Sequence, residues 1–134
     1  MKILRSGFVA VMFLAACVSR SSDEEQLREL ILGAENAAES RDASDVLDAV
    51  ATDYSDSQGF DRAQLQNFLR GYFLAHPKIE LLVNVQDVNF PVEGLGRATV
   101  EITSLPAGDR ATLALEFRKE GDAWRVARAD RVRE

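Results

Sequence analysis

The residues best suited to chemistry lie near the end of the chain. Trp124, Val126, Arg128, Asp130 and Val132 alternate with Arg125, Ala127, Ala129, Arg131 and Arg133. That is the period of a strand, whose successive side chains point to opposite faces. The first set is the more apolar, so it is expected to face the interior and to carry Arg128 and Asp130 inward. An inward Arg–Asp pair can orient a polar ligand, and its carboxylate can act as a base. The reading favoured is an ion pair that satisfies itself, because buried charges persist only when partnered. A one-residue shift of register would exchange the two faces. Tyr54 and Tyr72 are candidate hydrogen-bond donors to the same pocket, or core tyrosines with their hydroxyls at the rim. His76 is the only histidine and precedes Pro77. It reads as a general base or, the reading favoured, as a side chain meeting the free carbonyls at a helix C-terminus. Phe68, Phe73, Phe117 and Trp124 are core candidates, with Trp124 expected against the helix that carries Phe68 and Tyr72. No residue is assigned a catalytic role.

Several motifs fail on inspection. Gly94-Leu95-Gly96 lacks a third glycine and joins two strands, which excludes a dinucleotide loop. In the acidic run Asp53–Asp61, taking Gly59 as the sixth position of a calcium loop puts Tyr54 at the first, where Asp is required. One histidine and one cysteine exclude the usual zinc ligand sets, and there is no Gly-x-Ser-x-Gly elbow. No cofactor or metal is expected. The formal charge is −6, and it is concentrated between Cys17 and Asp61, where twelve carboxylates face three arginines. The broad positive field used for nucleic-acid binding is missing.

Helices must come first and strands last. Ser22 with Glu25, Asp42, and Asp61 with Gln64 are N-cap signals. After them come Leu27, Leu30, Ile31, Ala34 and Ala38, then Val46, Leu47 and Val50, then Leu65, Phe68, Leu69, Tyr72 and Phe73, each set at helical spacing. Pro77 ends the third helix. Between the second and third helices the Asp53–Gly59 stretch is turn-rich, with at most a very short strand at Tyr54. Beyond Pro77 the period becomes two, giving strands over 79–90, 97–105, 110–120 and 123–133. A break is expected near Pro91, and Gly94 and Gly96 should bracket a turn. This is an α+β pattern with an antiparallel meander.

The amino-terminal residues are expected to be a targeting segment. Lys2 and Arg5 precede the apolar stretch Gly7–Ala16, which is shorter than the roughly 20 residues of a membrane span. The run Leu14-Ala15-Ala16-Cys17 resembles the lipobox of bacterial lipoproteins. The resemblance implies cleavage after Ala16, acyl chains on Cys17, and attachment to the membrane through that lipid. The expected organisation is a signal peptide over 1–16, a lipidated tether over 17–22 and one domain over 23–134. Val18 stands where an inner-membrane retention signal would place Asp, so sorting to the periplasmic face of the outer membrane is expected.

The domain resembles the nuclear-transport-factor-2-like superfamily, including its SnoaL-like bacterial members. The matching residues are Arg41-Asp42, Asp53-Tyr54-Ser55-Asp56 before Gly59, Leu69-Arg70-Gly71-Tyr72-Phe73, and the closing stretch from Phe117-Arg118-Lys119 through Gly121-Asp122 to Trp124-Arg125-Val126. The resemblance implies a cystatin-like cone, in which a curved sheet wraps a helix and leaves a pocket. It implies either a non-catalytic domain that binds a small molecule or a protein, or an isomerase, dehydratase or hydrolase using the pocket. Pairing into a homodimer through the sheet face is a further arrangement it implies.

Overall fold

The computed structural model describes residues 22–133. Three helices, α1 (Asp23–Glu39), α2 (Ala43–Leu47) and α3 (Arg62–Ala75), enclose strand β1 (Val50–Asp56). Four strands follow: β2 (Glu80–Val92), β3 (Leu95–Leu105), β4 (Asp109–Glu120) and β5 (Ala123–Arg131). The sheet runs β1-β5-β4-β3-β2, with β1 parallel to β5 and the other pairs antiparallel. The expected fold class holds: α+β, with helices packed on one face of a curved, mostly antiparallel sheet.

The caps expected from the sequence start all three helices. Ser22 Oγ accepts from the Glu25 amide at 3.2 Å, and Asp42 Oδ1 from that of Asp45 at 3.0 Å. Asp61 and Gln64 form the reciprocal box, at 2.8 and 2.9 Å. Each bond satisfies a donor that the first helical turn leaves without a partner. The end of α1 wraps on itself: the Asp42 amide donates to Ala37 O and that of Arg41 to Ala38 O. This closure puts Arg41 at φ 58°, a conformation usually left to glycine. Arg41 Nη1 then donates to Phe73 O at 3.1 Å, tying the α1–α2 corner to the end of α3.

The main core lies between α1 and the sheet. Leu27, Ile31, Ala98, Val100, Phe117 and Trp124 form one buried cluster. Trp124 therefore packs on α1, and its expected contact with Phe68 and Tyr72 on α3 is not made. Helix α3 covers β1 and α2 instead, through Leu65, Leu69 and Phe73. Phe68 and Tyr72 lie beside that stripe and are exposed, Phe68 by 51%. The apolar face of α3 is wider than the surface it has to cover.

Three strand boundaries differ from expectation. The stretch around Tyr54 is a seven-residue strand, because β5 offers its free edge to it. Strand β2 continues through Pro91 to Val92, which an edge strand tolerates. The irregularity expected near Pro91 is there as a shift of the register to β3 between Asn89 and Val92, and a second shift falls between Gln86 and Asn89, where Asp87 has φ 54°. The β2–β3 turn is Glu93–Gly94, with Gly94 at φ 79°, and Gly96 lies within β3.

Candidate functional site

The decisive feature is a bulge in β5. Phe117 pairs with Val126, but the next residue back on β4, Glu116, pairs with Arg128, leaving Ala127 extra. Directly paired residues share a face, so the alternation changes phase there. Trp124, Val126, Ala129 and Arg131 share the face of Leu113, Leu115 and Phe117. Arg125, Arg128 and Asp130 share the opposite face with Ala114, Glu116 and Arg118. The expectation that Arg128 and Asp130 point inward with Trp124 is therefore corrected: one inserted residue turns them to the side away from the helices.

On that outer face they join a ladder of charges. Arg97 lies 3.9 Å from Glu116 on the neighbouring strand. Arg128 Nε donates to Asp130 Oδ2 at 2.8 Å, and its Nη1 donates to Ser55 Oγ at 3.2 Å. Arg118 pairs with Asp53, and Thr52 Oγ1 donates to Glu120 Oε2 at 3.1 Å, so β1 is held to the same face. The Asp130 hydrogen bond and charge raise the Arg128 pKa further. The other carboxylate oxygen of Asp130, Oδ1, is shielded from solvent and has no hydrogen-bond partner among the described residues.

Tyr54 is buried with Leu47 and Val50. Its hydroxyl donates to Asp56 Oδ2 at 2.7 Å. Asp56 Oδ1 accepts from the amides of Gln58 and Phe60, at 2.9 and 3.0 Å. One carboxylate thus fixes both the tyrosine and the turn into α3, the local bonding for which Asp is favoured in turns. Burial pushes the Tyr54 phenol well above its ordinary range. The hydrogen bond from Tyr54 and the negative charge of Asp56 and Asp130 push it the same way, while Arg128 opposes them. Arg62 steadies the start of β1, donating to Leu47 O at 2.9 Å and to Val50 O at 3.4 Å.

Of the four candidate pocket residues, the structure groups Tyr54, Arg128 and Asp130 near the β1–β5 edge and leaves Tyr72 apart. Tyr72 stacks on His76 with ring centres 3.9 Å apart. His76 Nδ1 donates to Tyr72 O at 2.8 Å, as expected of a side chain closing a helix end. Asp53, Ser55, Asp56 and Arg118 carry the family resemblance but are not among the site candidates the sequence suggests. Only Asp56, two residues before Gln58 in a turn-rich run, carried a readable signal. The larger grooves are lined by other residues. One of about 630 Å³ runs between α1 and the α2–β1 corner, past Glu29, Asp45, Asp48 and Arg125. Another of about 510 Å³ separates α2 from the end of α3, past Arg41 and Arg70. The negative charge of Asp42 is the first cause that raises the pKa of Asp45 from its ordinary value. Cys17 lies outside the described residues.

This architecture is the nuclear-transport-factor-2-like, or cystatin-like, fold. A domain of unknown function with a cystatin-like fold from Nostoc punctiforme PCC 73102 superposes with a TM-score of 0.70 at 16% identity, over 85% of this chain and 78% of that one. A nuclear-transport-factor-2-like protein of unknown function from Shewanella oneidensis MR-1 gives 0.65 at 14% identity, over 81% and 97%. A candidate aromatic ring hydroxylase from Novosphingobium aromaticivorans gives 0.58 at 18% identity, over 81% and 87%. No family model and no curated protein matches the sequence. Likeness at these identities concerns the fold.

Proposed function

We propose that the protein is a membrane-anchored periplasmic lipoprotein whose domain binds or interacts without catalysis. The anchor reading rests on the coincidence of a basic start, an apolar run, small residues and the chain's one cysteine at Leu14–Cys17. One lipid chain holds a protein only marginally, whereas two or more make a lasting attachment. The outer membrane is the favoured site.

The observation that carries the non-catalytic reading is that the candidate groups Tyr54, His76, Arg128 and Asp130 are each bonded to a neighbouring residue of this chain. Arg128 and Asp130 bond each other on the outer face. Asp56 is committed to Tyr54 and the turn, and His76 to the end of α3. Facing the helices, β3 and β4 present Ala98, Val100, Leu115 and Phe117, which cannot exchange protons. Pocket catalysis needs a base or nucleophile aimed at a substrate.

Two measurements test the reading. Cells expressing wild type or Cys17→Ser are labelled with a fatty-acid probe, and label is expected on wild type alone; equal label would end the anchor claim. Native mass spectrometry of the protein from its own host should then show a retained ligand or a partner subunit. Turnover of a co-purified small molecule would instead establish an enzyme.

A further inference from the structure

The end of the domain where α1 begins is fixed by its first residue. Asp23 Oδ1 accepts from Trp124 Nε1 at 3.2 Å and lies 3.5 Å from Lys119 Nζ. Lys119 and Trp124 are paired across the β4–β5 hairpin, and the ammonium sits 5.3 Å from the centre of the ring. The tip of the β2–β3 hairpin is at the same end. Phe90 is 5.7 Å from Trp124, and Phe90, Pro91 and Val92 line one groove with Asp23, Lys119 and Trp124. All three tip residues are exposed, Val92 by 60%.

We propose that Phe90, Pro91 and Val92 form a membrane-contact element that seats this end of the domain on the lipid surface. The inference rests on the reading that Cys17 carries lipid, and chain length supplies its argument. Only five residues, Val18–Ser22, separate Cys17 from Asp23. An extended chain spans at most about 3.3–3.6 Å per residue, so Asp23 is held within about 20 Å of the lipidated cysteine. The contacts of Asp23 carry the apolar tip into the same zone. The opposite end of β3 lies about 33 Å away, at about 3.3 Å per residue, beyond the reach of that tether. Glu24, Glu25 and Glu93 flank the contact. It is therefore an apolar contact suited to zwitterionic lipid, since carboxylates are repelled by an anionic surface.

The test uses the full lipidated chain. Acylation consumes the thiol of the only cysteine, so Val92→Cys provides one free site for an environment-sensitive fluorophore. Ala107→Cys, in the exposed β3–β4 turn, is the control. Both labelled proteins are reconstituted on phosphatidylcholine vesicles and floated on a density gradient. Both should float, but only the probe at position 92 should shift to the blue and be quenched by lipids brominated on their acyl chains. Flotation without a shift at position 92, or with equal shifts at both positions, overturns the contact and leaves the anchor standing. Failure to float, with dye also on Cys17, overturns the anchor and this inference with it.

Discussion

Replacing Trp124 by alanine is the sharpest test of how this core is assembled. The indole is 4% exposed and sits among Leu27, Ile31, Val100 and Phe117. A buried aromatic side chain removes about 150–250 Å² from water. At about 25 cal/mol per Å² that corresponds to about 4–6 kcal/mol, an upper figure because denatured chains are already partly collapsed. Truncations of buried Phe or Trp cost about 3–5 kcal/mol, and this is the expected loss. The hydrogen bond to Asp23 contributes about 1 kcal/mol of it, because Asp23 is exposed and regains water. Urea unfolding must be followed by far-ultraviolet circular dichroism, since the variant has no tryptophan left. Such a loss is comparable with the whole stability of a small domain, about 5–15 kcal/mol, so Trp124→Phe serves as the milder companion. It should keep most of the packing and lose the donor.

A double-mutant cycle locates the partner. Trp124→Ala with Leu27→Ala should couple by about 0.5–3 kcal/mol, as neighbours sharing a cavity do, whereas Trp124→Ala with Leu69→Ala should be additive. A loss below about 1 kcal/mol, or coupling to Leu69 and not Leu27, would refute packing on α1.

Three other outcomes are expected. Gly96→Ala should destabilise by about 1–3 kcal/mol, because its Cβ would come within 3.0 Å of Leu27 Cδ1 and 3.1 Å of Phe90 Cε1; thermal melts would show the loss, and an unchanged midpoint would disprove the close fit. Tyr54 has a folded pKa above its unfolded value of about 10, so the stability it contributes is complete below about pH 10 and is lost as pH rises further. The wild-type advantage over Tyr54→Phe in urea unfolding should therefore shrink in alkali, and parallel curves would contradict the buried phenol. Arg128→Met, Asp130→Asn and the double variant should show weak coupling that salt abolishes, as for exposed pairs; strong coupling insensitive to salt would mean the pair is buried.

Much of the fold was legible because its signals are local. Ser22, Asp42 and Asp61 mark helix starts by chemistry that acts within one turn, and the change of period after Pro77 marks the sheet. Strand β1 was legible only as a very short strand at Tyr54. Thr52, Asp53 and Ser55 give its middle the look of a loop, and it is a strand because β5, about seventy residues later, offers an edge. The exposure of Phe68 was hidden for a related reason. Periodicity shows that α3 has an apolar face but not how much of that face its neighbours cover. The site suffered most, since no glycine or proline marks the bulge in Val126-Ala127-Arg128.

That bulge connects the fold to the question of activity. Without it, strict alternation along β5 would place Arg128 and Asp130 beside Val126, on the face packed against the helices. Two charges there would need partners or a wet pocket to persist. With Ala127 inserted, that face receives Val126 and Ala129, which pack with Leu47, Val50 and Tyr54. Arg128 and Asp130 go to the side where Ser55 and Glu116, itself paired with Arg97, lie beside Arg128. A bulge also strengthens local twist, which suits a strand bending around helices while β1 is added to its edge. The same residue thus serves the closure of the core and the placement of charge, and recognition by polar contacts is more readily sought on the outer face than among the side chains of the interior.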